Sequence, residues 1–374
     1  MRILVDPEIF FAGRCGLVRY YSAVCHSLSQ LGCTVDLPLV VSGSDFIDGK
    51  LQALSKVRNM WPALLFRRLI DGISKHWYFR NLGRGGYDVI LITSSCFEDD
   101  FLPHAGNRPF VMIVHDTMCS IYDPAGFLDM RGNSADRLAY LARRAAKIIC
   151  VSESTRRDLL KLCPVNEDKI EVIYSGNLID CSPVKPEKQL PENYVLFVGE
   201  RSGRKNFRFF ARSVAPVLKS HKTVRLVCTG SFDRWETDLL NSLTILDQCL
   251  DLDANDGELL YLYQHALCMV YPSLYEGFGL PVLEAMMNGC PVLTADSGSI
   301  REVGGDAVEY VDPYDASSIA SKVEQIIEQP EHRQHLVALG LARAQLFSRQ
   351  RMMQSFLAEI SSLEVQPSRS GDSV

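Results

Sequence analysis

Short apolar runs of strand length alternate along this chain with longer stretches of helical periodicity. ILV at residues 3–5, VILIT at 89–93, FVMIV at 110–114 and KIIC at 147–150 read as buried strands. YVLFV at 194–198, VRLVC at 224–228, ALCMVY at 266–271 and CPVLTA at 290–295 read the same way. Between them lie amphipathic stretches such as the one from about Leu17 to Gly32, Phe207–Leu218 and Gly257–His265. Strand-then-helix repeated in this way predicts α/β architecture, with parallel sheets covered by helices in doubly wound domains. The alternation lapses at residues 178–192, IDCSPVKPEKQLPEN, which are rich in proline and charge and read as a linker. We therefore expect an N-terminal domain over 1–177, a linker over 178–192 and a C-terminal domain over 193–345. A helical stretch near 331–360 would cross back to the first domain, with 346–362 as the returning helix, and 363–374 would be a disordered polar tail.

The stretch with the densest chemistry is YPSLYEGFGLPVLEAMMNGCPVLTADSGS, residues 271–299. A buried strand runs into the loop Glu276-Gly277-Phe278-Gly279-Leu280, and Pro281 stands where a helix begins. Gly277 and Gly279 let the backbone approach a ligand closely. The first-turn N–H groups around Phe278, Gly279 and Leu280 would attract phosphate oxygens. Glu276 lies ahead of that anion site and Glu284 about one turn inside the helix. Carboxylates repel phosphate, so their use is to accept hydrogen bonds from hydroxyls on either side of a diphosphate. A nucleotide sugar is built that way.

Glu276 and Glu284 have the E-x7-E spacing, and EGFGLPVLEAM closely resembles the signature of retaining glycosyltransferases of the GT-B fold, family 4. That resemblance implies two Rossmann-like domains facing a cleft, the acceptor bound by the first and the nucleotide sugar by the second, with the C-terminal helix crossing back. It extends to further residues. GLVRY at 16–20 is similar to the family's G-I-x-R-Y element, by which Gly16 would bring backbone N–H groups to the donor diphosphate. VHDT at 114–117 resembles the strand end whose histidine contacts the donor sugar, which implies that role for His115. In GERSGRKN at 199–206, Lys205 matches the lysine of the pair that neutralises the diphosphate. The commonest position of its arginine partner is occupied by Glu200, with Arg201 and Arg204 on either side; the R-x-G-x-K-N variant favours Arg201. Ser175-Gly176-Asn177 departs from the family's N-G pattern at that place.

By the same resemblance the reaction transfers a hexose with retention, without metal, cofactor or covalent nucleophile. Glu276, His115, Arg201 and Lys205 would act at the reacting centre. Gly16, Arg201, Lys205, Phe278, Gly279, Leu280 and Glu284 would hold the donor. The pattern is most similar to bacterial O-antigen and polysaccharide mannosyltransferases, implying GDP-mannose as donor and a lipid-linked or lipopolysaccharide glycan as acceptor. A UDP-sugar donor and a GT-B-fold sugar-nucleotide epimerase are the alternatives. Asp251-Leu252-Asp253 has the D-x-D form of a metal site, but it precedes a helix in the second domain, where the family places the nucleobase.

Composition narrows the setting. At 374 residues, 47% hydrophobic and 22% charged, the chain suits two soluble domains, and no apolar run reaches the ~20 residues of a membrane span. Twelve cysteines without a C-x-x-C pair, several inside apolar runs, read as reduced core residues of a cytoplasmic protein. The first strand is followed by GRCGLVRY, which lacks the G-x-G-x-x-G of a nicotinamide-binding domain. Net charge is −6, yet residues 1–160 carry about +3 and the remainder about −9. Residues 50–84 concentrate eight Lys or Arg and one His against the single acid Asp71, interleaved with Trp61, Phe66, Trp77, Tyr78 and Phe79. That mixture predicts contact with anionic lipid, or with an acceptor, at the cytoplasmic face of the inner membrane. No nucleic-acid motif accompanies it.

Overall fold

A computed structural model describes residues 1–11, 15–37, 63–93, 101–118, 134–201 and 203–363. The chain divides into two compact units, Met1–Tyr174 with Gln350–Val374, and Ser175–Arg349.

The first unit is built on a six-stranded sheet in the order β2-β1-β3-β4-β5-β6. Its strands are β1 Arg2–Val5, β2 Thr34–Asp36, β3 Val89–Ile92, β4 Phe110–Val114, β5 Lys147–Cys150 and β6 Ile170–Val172. All neighbours pair in parallel, for example Ile90 with Phe110 and Met112 with Ile148. Every residue of β3 and β4 is buried, as a sheet covered on both faces requires. The Gly16–Gln30 helix packs Val18, Tyr20, Tyr21, Val24 and Leu28 inward. The Glu153–Leu162 helix starts where the Ser152 hydroxyl accepts the Thr155 N–H at 3.0 Å. A further helix, Ser134–Arg144, ends on the basic pair Arg143 and Arg144.

The second unit holds β7 Asn193–Phe197, β8 Val224–Thr229, β9 Cys249–Leu252, β10 Cys268–Tyr271, β11 Val292–Ala295 and β12 Glu309–Val311. Their order is β12-β11-β10-β7-β8-β9, all parallel. Counted within the unit this is the 3-2-1-4-5-6 arrangement of a Rossmann-like sheet, reversing direction between β7 and β10. Capping boxes at Asp233–Glu236 and Asn255–Glu258 set the starts of the Arg234–Ser242 and Asp256–His265 helices.

Two boundaries differ from the sequence reading. Residues 178–192, read as the linker, lie within the second unit. There the Val184 N–H donates to Gly257 O at 2.9 Å and Lys188 Nζ to Asp251 O at 2.6 Å. The chain crosses between units at Tyr174–Ser175 instead. The helical stretch 331–360 is two helices, Pro330–Ala344 and Arg349–Ser361. The turn between them buries Phe347 edge-on against Phe278 at 5.9 Å, which a continuous helix would not allow. The last helix returns to the first unit, where Lys147 and Glu359 pair at 2.6 Å and Met352, Met353, Phe356 and Ile360 are buried. The expected tail beyond Leu363 lies outside the described residues.

Candidate active site

In a sheet of this kind ligands bind beyond the carboxyl ends of the strands at the point of reversal. In the second unit that point lies between β7 and β10, so the loops after these strands, 198–206 and 272–279, define the site. The loops are laced together: Leu274 N–H donates to Arg204 O at 2.8 Å, and Ser273 Oγ to the same carbonyl at 3.2 Å.

Glu276 sits at the centre. It is 7% exposed, and its Oε1 accepts from Lys205 Nζ at 2.6 Å, Arg204 Nη1 at 2.7 Å, Ser273 Oγ at 2.5 Å and Tyr271 OH at 2.9 Å. Lys205 also donates to Tyr271 OH and lies 4.4 Å from the centre of that ring. Burial works against the charged carboxylate, but the two cations and the hydroxyl and ammonium donors outweigh it, holding Glu276 below the usual carboxylate range. The Glu276 carbonyl is fixed by the Ser299 N–H and hydroxyl, each at 3.1 Å. Gly298, at φ +58°, lies so close to that carbonyl that a Cβ would collide with it.

The helix Leu280–Met287 starts at Gly279, whose φ of +93° only glycine adopts readily and whose absent Cβ makes room for Ile300. Val282 and Leu283 N–H turn back to Gly279 O at 2.9 and 3.4 Å, leaving the N–H groups of Gly279 and Leu280 without an intrahelical acceptor. Glu284 lies on the buried face of this helix, and its Oε2 accepts from Tyr263 OH at 3.0 Å. The loop thus presents a helix N-terminus and two cations, with one carboxylate on each side.

The two arginines flanking the expected basic position have different places. Arg201 is 8% exposed and turned inward, with Nε and Nη2 on the two oxygens of Glu236 at 2.7 and 3.0 Å. Its remaining donors reach Ser231 O at 2.6 Å and Thr229 O. Arg201 is therefore a brace between the loops after β7 and β8, and Arg204, not Arg201, joins Lys205 at Glu276. The side chains do not group Arg201 with Lys205: four of the five N–H donors of Arg201 are already engaged by Glu236, Ser231 and Thr229, whereas Arg204 lies beside Lys205 on Glu276. Asp251, the first acid of the D-x-D, is likewise committed. It accepts the Phe232 N–H at 3.1 Å and pairs with Lys188 at 3.3 Å.

In the first unit His115 stands at the carboxyl end of β4, its ring edge-on to Tyr20 at 4.5 Å and Tyr21 at 5.3 Å. The residue keeps some exposure, but Nε2 is buried without a hydrogen-bond partner among the described residues, as are the Tyr20 and Tyr21 hydroxyls. Desolvation lowers the His115 pKa to about 3, so the imidazole is neutral at physiological pH. Gly16 opens the Gly16–Gln30 helix with no side-chain cap and open space where a Cβ would stand. At the end of β1, Asp6 accepts the Glu8 N–H at 3.0 Å in a buried pocket with Thr93, and burial raises its pKa to about 7.

Sequence reasoning missed Arg204 as the partner of Glu276, Tyr263 as the partner of Glu284, and Tyr20 and Tyr21 beside His115. The adjacency of Arg204 to Lys205 was the one signal available for the first of these.

Comparison with known proteins gives the family. The family model "Glycosyltransferase Family 4" matches residues 15–177, and "Glycosyl transferases group 1" matches residues 181–340. The chain belongs to the GT-B-fold glycosyltransferases of family 4 and is an enzyme of glycosyl transfer. It is 29% identical over 277 residues to O-antigen chain mannosyltransferase B of Escherichia coli, covering 67% of this chain and 71% of that protein. Over 190 residues, 50% of this chain and 53% of the relative, it is 30% identical to O-antigen chain mannosyltransferase RfbU of Salmonella typhimurium. Among solved structures, sucrose-phosphate synthase from Thermosynechococcus elongatus has the same fold, with TM-score 0.70, 20% identity and coverage of 95% and 96%. Anabaena Alr3699/HepE in complex with UDP-glucose has TM-score 0.70 at 17% identity, covering 97% of this chain and 99% of its own.

Proposed function

We propose that this glycosyltransferase moves a hexose from a nucleoside diphosphate sugar to a hydroxyl of a lipid-linked or lipopolysaccharide glycan, with retention of configuration. GDP-mannose is the favoured donor, because the relatives named above are mannosyltransferases. The observation that carries the reading is the Glu276–Lys205–Arg204 cluster at the sheet reversal, one helix turn from buried Glu284.

The chemical work is stabilising the diphosphate as it departs. Lys205 and Arg204 are held by Glu276 at fixed positions, so two positive charges meet one negative charge and leave a surplus for phosphate oxygens. With the N–H groups of Gly279 and Leu280 they supply the neutralisation that a divalent ion gives elsewhere. Glu276 orders hydroxyls of the donor sugar as well as the cations. Glu284, oriented by Tyr263, accepts from the ribose. By the family resemblance His115, neutral at physiological pH, would contact the transferred sugar and Gly16 the diphosphate. The acceptor places the enzyme at the cytoplasmic face of the inner membrane, with residues 50–84 as the contact; residues 50–62 lie outside those described.

The test is a thermal-shift panel of GDP, UDP, ADP and their sugars with EDTA present, repeated on Glu284→Ala, followed by assignment of the product's anomeric configuration by NMR. Stabilisation by GDP and GDP-mannose, weakened in the variant, with an α-linked mannoside product, supports the proposal. Preference for UDP replaces the donor. A converted sugar nucleotide in the absence of acceptor identifies an epimerase.

A further inference from the structure

The helix Ala63–Arg84 has two unlike faces. Ser74, Tyr78 and Leu82, spaced by four, are buried, and Tyr78 and Leu82 belong to the core of the first unit. The face turned to solvent is not the polar one expected of a surface helix. Leu69 is 59% exposed, Ile73 52% and Trp77 37%, again spaced by four. Arg80 and Arg84 continue the same stripe toward the helix end, with exposed His76 along its edge. At 100° per residue the positions of Leu69, Ile73, Trp77, Arg80 and Arg84 fall within roughly 80° of one another. The helix is fixed in this orientation by Lys75 paired with Glu8 at 3.2 Å and by the Tyr87 hydroxyl on Leu82 O at 2.7 Å. Inward packing and the outward apolar stripe are thus separate features, and the fold leaves the stripe uncovered among the described residues.

We infer that this stripe docks the first unit on an anionic lipid surface, with Leu69, Ile73 and Trp77 entering the interface and Arg80 and Arg84 on the headgroups. Three observations choose lipid over a protein groove. The apolar side chains form a single narrow row, which a lipid interface accommodates without a complementary pocket. Two of the helix's cations, Arg80 and Arg84, lie on the stripe itself and no acid shares it, in a chain whose net charge is −6, so positive charge would meet anionic headgroups there. Trp77 lies along the stripe between the apolar turns and the arginine turns, an amphipathic ring of the kind that interfacial helices place at the boundary of acyl chains and headgroups. No helix among the described residues is long and apolar enough to cross a membrane, so the contact is peripheral. The inference rests on the proposed lipid-linked acceptor: docking would bring the acceptor unit to the surface where such a molecule is held.

The experiment is co-sedimentation of the full chain with vesicles of phosphatidylcholine alone or mixed equally with phosphatidylglycerol. The variants are Ile73→Ser with Trp77→Ser, and Arg80→Glu with Arg84→Glu. The thermal unfolding midpoint serves as the folding control, with the nucleotide-induced shift read beside it, since none of these residues is in the proposed donor site. Wild type should partition to the mixed vesicles and not to the neutral ones. Each arginine contributes about fivefold, so the double charge reversal should weaken partitioning by at least roughly 25-fold and make it insensitive to salt. The apolar pair should lose at least tenfold with its nucleotide shift intact. Equal partitioning of wild type to both vesicles, or unchanged binding by both variants, overturns the inference. So does a wild-type dimer that Ile73→Ser dissociates while vesicle binding is unchanged, because a second copy is then the occupant. Vesicle binding that follows the expected pattern in a protein that binds no nucleotide supports the docking surface and removes the proposed transfer reaction alone.

Discussion

Arg201 and Arg204 are three positions apart in one polar loop, and the structure separates their consequences. Replacing Arg201 with Met removes a guanidinium that makes four hydrogen bonds in a closed setting, where its side chain is 6% and the Glu236 side chain 7% exposed. Glu236 then keeps only the Asp233 N–H at 2.9 Å, and two carbonyls lose their donor. Breaking a buried pair by removing one partner costs about 3–5 kcal/mol. For a unit of this size, roughly 2–4 °C per kcal/mol gives a fall in Tm of about 6–20 °C. Arg204→Met removes a cation whose side chain is 30% exposed, and Glu276 retains Lys205, Tyr271 and Ser273. Its stability should change by only about 1 kcal/mol. Its kcat/KM should fall by about 100–1,000-fold if it stabilises the departing diphosphate. The assay is thermal unfolding of both variants beside single-substrate kinetics at a temperature where both are folded. An Arg201→Met protein with wild-type Tm and no nucleotide binding would refute the brace and return Arg201 to the phosphate.

Other expectations follow from the buried titratable groups and the helix carboxylate. Asp6 has a folded pKa raised to about 7, so the folded state binds more protons than the unfolded chain from about pH 4 upward. Its contribution is present at acid pH and lost as pH rises through 7. Asp6→Asn should therefore gain roughly 2–3 kcal/mol of stability relative to wild type between pH 5 and pH 8, and a pH-independent difference in denaturant midpoint would contradict this. His115 is shifted the other way, to about 3, so its neutral state favours folding above its unfolded pKa and that contribution fades as pH falls below ~6.5. NMR of the ring protons should show no titration of His115 between pH 5.5 and 8, and a midpoint near 6.5 would show the ring to be solvated. Tyr263→Phe removes one hydrogen bond to Glu284 and should weaken nucleotide binding by about 1 kcal/mol, roughly fivefold, whereas Glu284→Ala should cost more. Calorimetric titration ranks the two, and equal losses would mean Glu284 acts only through Tyr263.

Much of this molecule could be read from the order of its residues. Strand-length apolar runs alternating with amphipathic helices determine a parallel α/β fold, because both faces of such a sheet must be covered. The glycines of the Glu276–Leu280 loop, Pro281 and the spacing to Glu284 are local: a strand, a turn of left-handed backbone and one helical turn place them with little help from elsewhere. Residues far apart in the chain decided the rest. The path of Arg201 depends on a carboxylate 35 positions on, and that of Arg204 on one 72 positions on. No periodicity within the loop distinguishes two arginines three residues apart, since their rotamers follow whichever buried acid lies within reach after the strands have paired. The proline-rich 178–192 segment reads as a linker by composition, yet its backbone and Lys188 find partners at Gly257 and Asp251, 73 and 63 positions away. Likewise the outward row of Leu69, Ile73 and Trp77 cannot be told by period from the inward row of Ser74, Tyr78 and Leu82. Only docking of the helix on the sheet decides which row meets the core, because the side with the better packing partner is the one buried.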